Sequence, residues 1–266
     1  MTLDFTGTTA LITGASSGLG VEFATRLAAR GADVVLVARR TDRLETLAAE
    51  LQAEHGIRAT PIGLDLAQPQ AGARMRAELE QRGIAVQTLV NNAGFGTHGP
   101  FAEADAAVLA SEIQLNVASL VDLSREFLPD LLAAAAGGAS AALVNVASTA
   151  AYQPTPFMAV YGATKAFVLN FTEAIAFETR DSGVRVLALS PGATRTEFFD
   201  VVGSEAAAVG SFQSSEQVVA TALKALDRRR TPASVVSGRA NALTAAGAGV
   251  LPRGVILSMS GRLLSD

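Results

Sequence analysis

Three glycines in the spacing Gly14-x-x-x-Gly18-x-Gly20 are the first residues in this chain whose types and spacing point to chemistry. They lie between a strand-like run, 8–13, and a helix-patterned run, 21–30. A tight glycine turn opening onto a helix N-terminus lets backbone N–H groups approach an anion, and the helix dipole favours negative charge there. A second group of residues follows far downstream. Tyr161 and Lys165 are four apart in a helical pattern, so phenol and ammonium share one face. Ser148 stands at the carboxyl end of the strand-like run 141–147. Asn116 interrupts an apolar helical stripe, where a polar side chain needs a buried partner.

The elements around the glycine turn say which anion it would hold. After helix 21–30 and a stop at Gly31, the β-branched run Asp33–Ala38 reads as a buried parallel strand. Strand, turn, helix and strand within about thirty residues make the βαβ unit of a dinucleotide fold. An acidic residue after the second strand would bond the ribose 2′-hydroxyl. Here Ala38 is followed by Arg39 and Arg40, which suit a 2′-phosphate. The reading is therefore NADP in preference to NAD, with Arg39 on the phosphate and Arg40 the more readily a solvated charge at a helix entry.

Downstream, Thr41 is expected to cap a helix carrying Leu44, Leu47, Ala48 and Leu51, stopped by Gly56. A third strand, 58–64, delivers Asp65 and Leu66 to its carboxyl end, where ligand groups collect in an open sheet. Helix 70–82 precedes a short strand, 88–90, that runs into Asn91-Asn92-Ala93-Gly94. These asparagines can tie adjacent strand ends together. The stretch 103–136 is mostly helical, with Ile113, Val117, Leu120 and Leu128 as inward positions. Helix 157–180, strand 184–189, Pro191-Gly192, helix 217–230 and an edge strand at 234–236 complete the alternation. Residues 193–212 lack a clean period and read as a lid or short helices over the ligand. The tail beyond Gly238 is packed helix, a subunit contact or a cover for an apolar substrate. The pattern predicts an α/β doubly wound Rossmann-type sheet of about seven strands, mainly parallel, with helices on both faces. It predicts one domain over 1–266, with a variable substrate lid about 193–215 and a C-terminal extension about 239–266.

Composition narrows the function classes. The chain is 49% hydrophobic and 17% charged, which supports a full core. A net charge of −4 and a pI near 5.3 give no basic footprint for nucleic acid. No cysteine and only two histidines, His55 and His98, argue against a metal centre. No uninterrupted apolar run reaches the roughly 18 residues of a membrane span. The first residues, Met1-Thr2-Leu3-Asp4-Phe5, have no signal-peptide pattern, so the expected location is the cytoplasm.

Taken in order, Thr13-Gly14-x-x-x-Gly18-x-Gly20, Asn91-Asn92-Ala93-Gly94, Ser148, Tyr161-x-x-x-Lys165 and Pro191-Gly192 resemble the classical short-chain dehydrogenases/reductases over about residues 5–200. The Asn-Asn-Ala-Gly-Phe-Gly continuation resembles the bacterial NADP-type reductases. The resemblance implies that Tyr161 is the general acid/base, that Lys165 lowers its pKa and holds the nicotinamide ribose, that Ser148 steadies the substrate oxygen, and that Asn116 holds a water in a proton relay. It places Gly14, Ser16, Ser17, Gly18, Leu19 and Gly20 around the pyrophosphate and adenine ribose. Asp65 and Leu66 would flank the adenine, and Asn92, Ala93 and Gly94 the ribose. Pro191, Gly192, Thr194 and Thr196 would meet the nicotinamide. The implied reaction interconverts a carbonyl and an alcohol with NADP(H). Phe95, Phe157, Met158, Phe198 and Phe199 near the expected mouth suggest an apolar substrate. A homodimer or homotetramer through helices 103–136 and 157–180 is also implied. A 3-oxoacyl-carrier-protein reductase and a non-catalytic NADP-sensing protein are the alternatives.

Overall fold

The computed structural model describes residues 2–203 and 212–265. Seven strands, β1 (Thr9–Thr13), β2 (Asp33–Ala38), β3 (Ala59–Gly63), β4 (Thr88–Asn91), β5 (Ala142–Val146), β6 (Arg185–Ser190) and β7 (Ser234–Val236), form one sheet in the order 3-2-1-4-5-6-7. Every pairing is parallel, β7 included. The order reverses between β1 and β4, which opens a crevice at their carboxyl ends.

Side-chain alternation builds a core on each face of the sheet. Ala10 and Ile12 of β1 point into one layer with Phe23, Leu27, Leu44, Leu51, Val218 and Leu226. These come from α1 (Gly18–Ala28), α2 (Thr41–His55) and α8 (Ser215–Leu226). Leu11 points into the other with Met75, Leu79, Leu123, Phe127, Leu131 and Ile175, from α3 (Ala71–Gln81), α5 (Leu120–Ala136) and α6 (Ala159–Glu178). Gly56 ends α2 with φ +67, as its stop position predicts. Thr41 is not the cap of α2 but its first residue, and Arg40 precedes it without a side-chain capping bond.

Between α4 (Ala106–Ile113) and α5 the chain winds as a wider π-turn over Gln114–Ser119. That extra residue moves the inward face upstream of Leu120 back by one position. Glu112 and Asn116 are buried, while Ile113 is 48% exposed and Val117 is only half-buried, against the 3.6-residue expectation. The continuous run 106–136 is long and apolar enough to cross a membrane by length and composition, with mean hydropathy 1.3. Its inward stripe of Leu120, Leu123, Phe127 and Leu131 nevertheless lies in the core on the sheet.

Polar brackets hold the strand ends at the crevice. Thr13 Oγ1 accepts from the Asn92 N–H at 2.9 Å and the Ala93 N–H at 3.0 Å. Asn92 Nδ2 donates back to the Thr13 carbonyl at 2.9 Å. Behind it, Asn91 Nδ2 donates to Asn145 Oδ1 at 2.9 Å, and Asn145 Nδ2 to Thr172 Oγ1 at 2.9 Å, tying β4 and β5 to α6. Thr13→Val keeps the shape but leaves two half-buried amides without their acceptor, so a loss of about 1–3 kcal/mol is expected in chemical denaturation. A loss below about 0.5 kcal/mol, the range of an indifferent substitution, would mean that the bracket does not matter.

Candidate active site

The glycine turn is built as an anion cradle. Gly14 and Gly18 have φ of +67 and +55, in the left-handed region. A Cβ on Gly14 would press on Asn92 Nδ2 and the Ala93 backbone, and one on Gly18 on Thr196. Ser17 precedes α1 without a side-chain capping bond, so the opening N–H groups of the helix face the crevice without that partner. These features fit a dinucleotide's pyrophosphate. Gly20 does something else: it is not on the cleft wall, and a Cβ there would run into the Gly14 carbonyl, so it lets α1 close against the turn.

A cleft of about 820 Å³ runs along the carboxyl ends of the strands. Gly14, Ser16, Ser17, Gly18, Leu19, Arg39, Asp65, Leu66, Asn92, Ala93 and Gly94 line it on the turn side, and Ser148, Tyr161, Lys165, Pro191, Gly192, Thr194 and Thr196 on the other. Asn116 lies behind the wall, 1% exposed. Its Nδ2 donates to the Phe95 carbonyl at 2.8 Å and to Thr164 Oγ1 at 3.1 Å, and its Oδ1 accepts from the Phe95 N–H at 3.1 Å. Its side chain therefore clamps the 94–96 loop to α6.

The two arginines after β2 have different surroundings. Arg39 lines the cleft, is exposed and makes no ion pair among the described residues. Arg40 is a partly exposed charge at the entry to α2, as expected, but it is also held by partners. Its guanidinium donates to Ser16 Oγ at 3.0 Å and pairs with Glu197 at 2.8 Å, and Arg43 pairs with the same carboxylate at 2.5 Å. These contacts tie α2, the turn and the segment after β6 together at the surface. The sequence carries no signal of this, because Glu197 lies more than 150 residues away.

Tyr161 and Lys165 stand in the first turns of α6. The entry to that helix is set by Thr155, whose hydroxyl and carbonyl both bond the Met158 backbone at 3.0 Å. Phe157, expected within the helix, instead takes φ +64 ahead of it. Both catalytic candidates are buried, 9% and 6% exposed. Lys165 Nζ donates to the Val146 carbonyl at 2.8 Å and lies 5.8 Å from the Tyr161 ring centroid. Gly96 lets the loop cross that ring, where a Cβ would sit 2.8 Å from Tyr161 Cδ2.

Burial pushes the Tyr161 phenol up to about 12; the Ser148 hydroxyl works against this, while the Glu112 carboxylate adds to it. The expected acidification by Lys165 is not among the causes that move this phenol here. Burial also draws Lys165 down to about 8, with Glu112 opposing. Glu112 is fully buried and does not line the cleft; its inward position is hidden in the sequence by the π-turn.

The far end of the cleft is apolar. Phe95, Met158, Phe198, Phe199 and Leu264 line it. Phe198 belongs to a short helix, α7 (Phe198–Val202), within the stretch expected as a lid; residues 204–211 of that stretch lie outside the described residues. The ends of the stretch are pinned together, with the Gln213 N–H on the Ala193 carbonyl and the Arg195 N–H on the Gln213 carbonyl, both at 2.9 Å. The tail forms α9 (Arg239–Ala248) and α10 (Arg253–Leu264). Its Leu264 packs with Met158, Tyr161 and Val202, and its carbonyl bonds His98 Nε2 at 2.9 Å. The tail thus closes the apolar end.

Known proteins share this arrangement. The family model described as short chain dehydrogenase matches residues 8–207. A sulfoacetaldehyde reductase of Chromohalobacter salexigens is 39% identical over 189 residues, 71% of this chain and 73% of the relative. A short-chain dehydrogenase from Sphingobium yanoikuyae, solved in complex with NADPH, superposes with TM-score 0.77 at 34% identity over 91% of this chain and 94% of its own. A 3-ketoacyl-(acyl-carrier-protein) reductase from Brucella melitensis, complexed with NADH, gives 0.75 at 29% over 88% and 97%. With its parallel sheet, glycine turn and Ser148, Tyr161 and Lys165 around one cleft, the chain belongs to the short-chain dehydrogenase/reductase family of oxidoreductases.

Proposed function

We propose that this protein reduces an apolar ketone or aldehyde to an alcohol, reversibly, with NADP(H) preferred over NAD(H). The observation that carries the reading is the set of half-buried Ser148 and buried Tyr161 and Lys165, opening into the same cleft as the glycine turn. Bound NADPH supplies the hydride. The chain's own groups do the rest. Gly14, Ser16–Leu19 and the start of α1 hold the phosphates. Ser148 holds the carbonyl oxygen, with Tyr161 as the general acid that protonates it. Raised to about 12, the phenol keeps its proton at neutral pH, as an acid must. Lys165 anchors the ribose side from its bond to Val146. The residue 38 side chain is too small to contest a 2′-phosphate, and Arg39 offers it an uncommitted guanidinium. The whole chain serves as one catalytic unit in the cytoplasm, as a homodimer or homotetramer through α5 and α6.

Arg39→Asp should raise the KM for NADPH roughly 10- to 100-fold, the worth of one charge-assisted contact, with NADH little affected. Equal effects on both cofactors would remove the NADP preference. A carrier-borne 3-oxoacyl substrate is the second reading, favoured by the likeness to the Brucella melitensis enzyme. A panel of carbonyls followed by NADPH absorbance, with free and carrier-linked 3-oxoacyl groups included, tests both. Turnover confined to small charged carbonyls would overturn the apolar assignment.

A further inference from the structure

Glu112 is a carboxylate with nowhere to be solvated. It is fully buried, four residues ahead of Asn116 on the same inward face. Its Oε2 accepts from Thr97 Oγ1 at 2.8 Å, and its Oε1 has no partner among the described residues. Leaving a buried carboxylate oxygen unpaired is costly unless opposite charge compensates it. The compensating charge lies across the loop. A Cβ on Gly94 would sit 2.9 Å from Asn116 Oδ1 and 3.4 Å from Lys165 Nζ, so only a thin strip of backbone separates the Asn116 face from the ammonium. Two residues on, Gly96 lies against the Tyr161 ring, and Thr97 then reaches Glu112.

The charged and titratable groups facing Glu112 are both on α6, Lys165 and Tyr161. Its own helix carries no other ionisable side chain, and the loop contributes the Thr97 hydroxyl.

We propose that Glu112 is a positioning residue that acts through Tyr161 and Lys165: its buried negative charge keeps the lysine an ammonium and the tyrosine a phenol. The inference rests on the carbonyl-reductase reading above and deepens it. Carbonyl reduction starts from the protonated phenol and alcohol oxidation from the phenolate, so by keeping Tyr161 protonated Glu112 holds the site in the form that reduction uses. The electrostatics run the same way. The carboxylate raises both Tyr161 and Lys165, while burial raises Glu112 itself, against the Thr97 hydroxyl and the Lys165 ammonium.

The chain's composition allows a direct test. It contains two lysines, Lys165 and the exposed Lys224. In a Lys224→Arg background, NMR of isotope-labelled lysine ε-carbons reports Lys165 alone, near 8. Glu112→Gln keeps the Thr97 bond and removes the charge. The Lys165 titration should then fall by roughly half a unit to one unit. In the turnover assay, the alkaline limb of the kcat profile should move down by a similar amount, roughly three- to ten-fold in rate on that limb. Glu112→Met, similar in volume and uncharged, should shift the lysine in the same direction, which covers misfolding of the glutamine variant. Coincident lysine titrations in wild type and both variants would overturn the proposal and leave Glu112 a packing residue. A shifted lysine in a protein that turns over no carbonyl would instead overturn the reductase reading while the charge coupling stands.

Discussion

Tyr161→Phe should lower kcat for carbonyl reduction about 100- to 10,000-fold, the usual worth of a positioned general acid. NADPH binding should be unchanged. Phenylalanine keeps the ring that packs 5.3 Å from Phe198 and lies beneath Gly96. It removes only the hydroxyl, the group that interacts with Ser148. None of the cradle at Gly14–Gly20 depends on that hydroxyl, so cofactor affinity and chemistry should separate. Stopped-flow turnover with a titration of NADPH fluorescence measures both. An unaltered rate would show that the proton comes from elsewhere, and binding without turnover in wild type as well would favour a nicotinamide-sensing protein.

Gly20→Ala should weaken NADPH binding roughly 100-fold, although Gly20 touches no part of the cleft. The added methyl meets the Gly14 carbonyl, which is backbone and cannot rotate aside like a side chain. Relief requires α1 to move outward or the turn to shift, and either displaces the N–H groups that hold phosphate. Overpacking of this kind also costs about 1–3 kcal/mol of stability. Thermal unfolding and NADPH titration of the same variant read the two effects. A variant with full NADPH affinity would show that the turn tolerates displacement, and would weaken the assignment of the cradle.

The framework of this site was legible from local pattern. β2 spans Asp33–Ala38 as expected, since a β-branched run between Gly31 and the arginines has one reading. The fold follows because each strand is punctuated by glycine and each helix by a periodic apolar face. Tyr161 and Lys165 share a face because four residues make about one turn. The residues that escaped share a cause, which is interaction over long sequence distance or departure from ideal helix geometry. The π-turn at Gln114–Ser119 rotates Ile113 out and Glu112 in, and an apolar-periodicity argument assigns those two the wrong way round. Arg40 is the surface charge that local pattern suggests, but its ion pair with Glu197 is formed only by the crossing after β6. Leu264 reaches Tyr161 only through the path of α9 and α10, for which no local signal exists. The phenol's environment also depends on burial, and neighbours in sequence do not report burial.

The central claim is that one cleft couples a nicotinamide to a carbonyl through Tyr161. It is tested most directly by following deuterium from NADPH labelled at the reactive nicotinamide carbon, with a ketone substrate found in the panel. The account predicts one deuterium on the carbinol carbon of the product per NADPH consumed by the wild type, with the transfer all but lost in Tyr161→Phe. Deuterium appearing in solvent, or transfer undiminished in Tyr161→Phe, would contradict it.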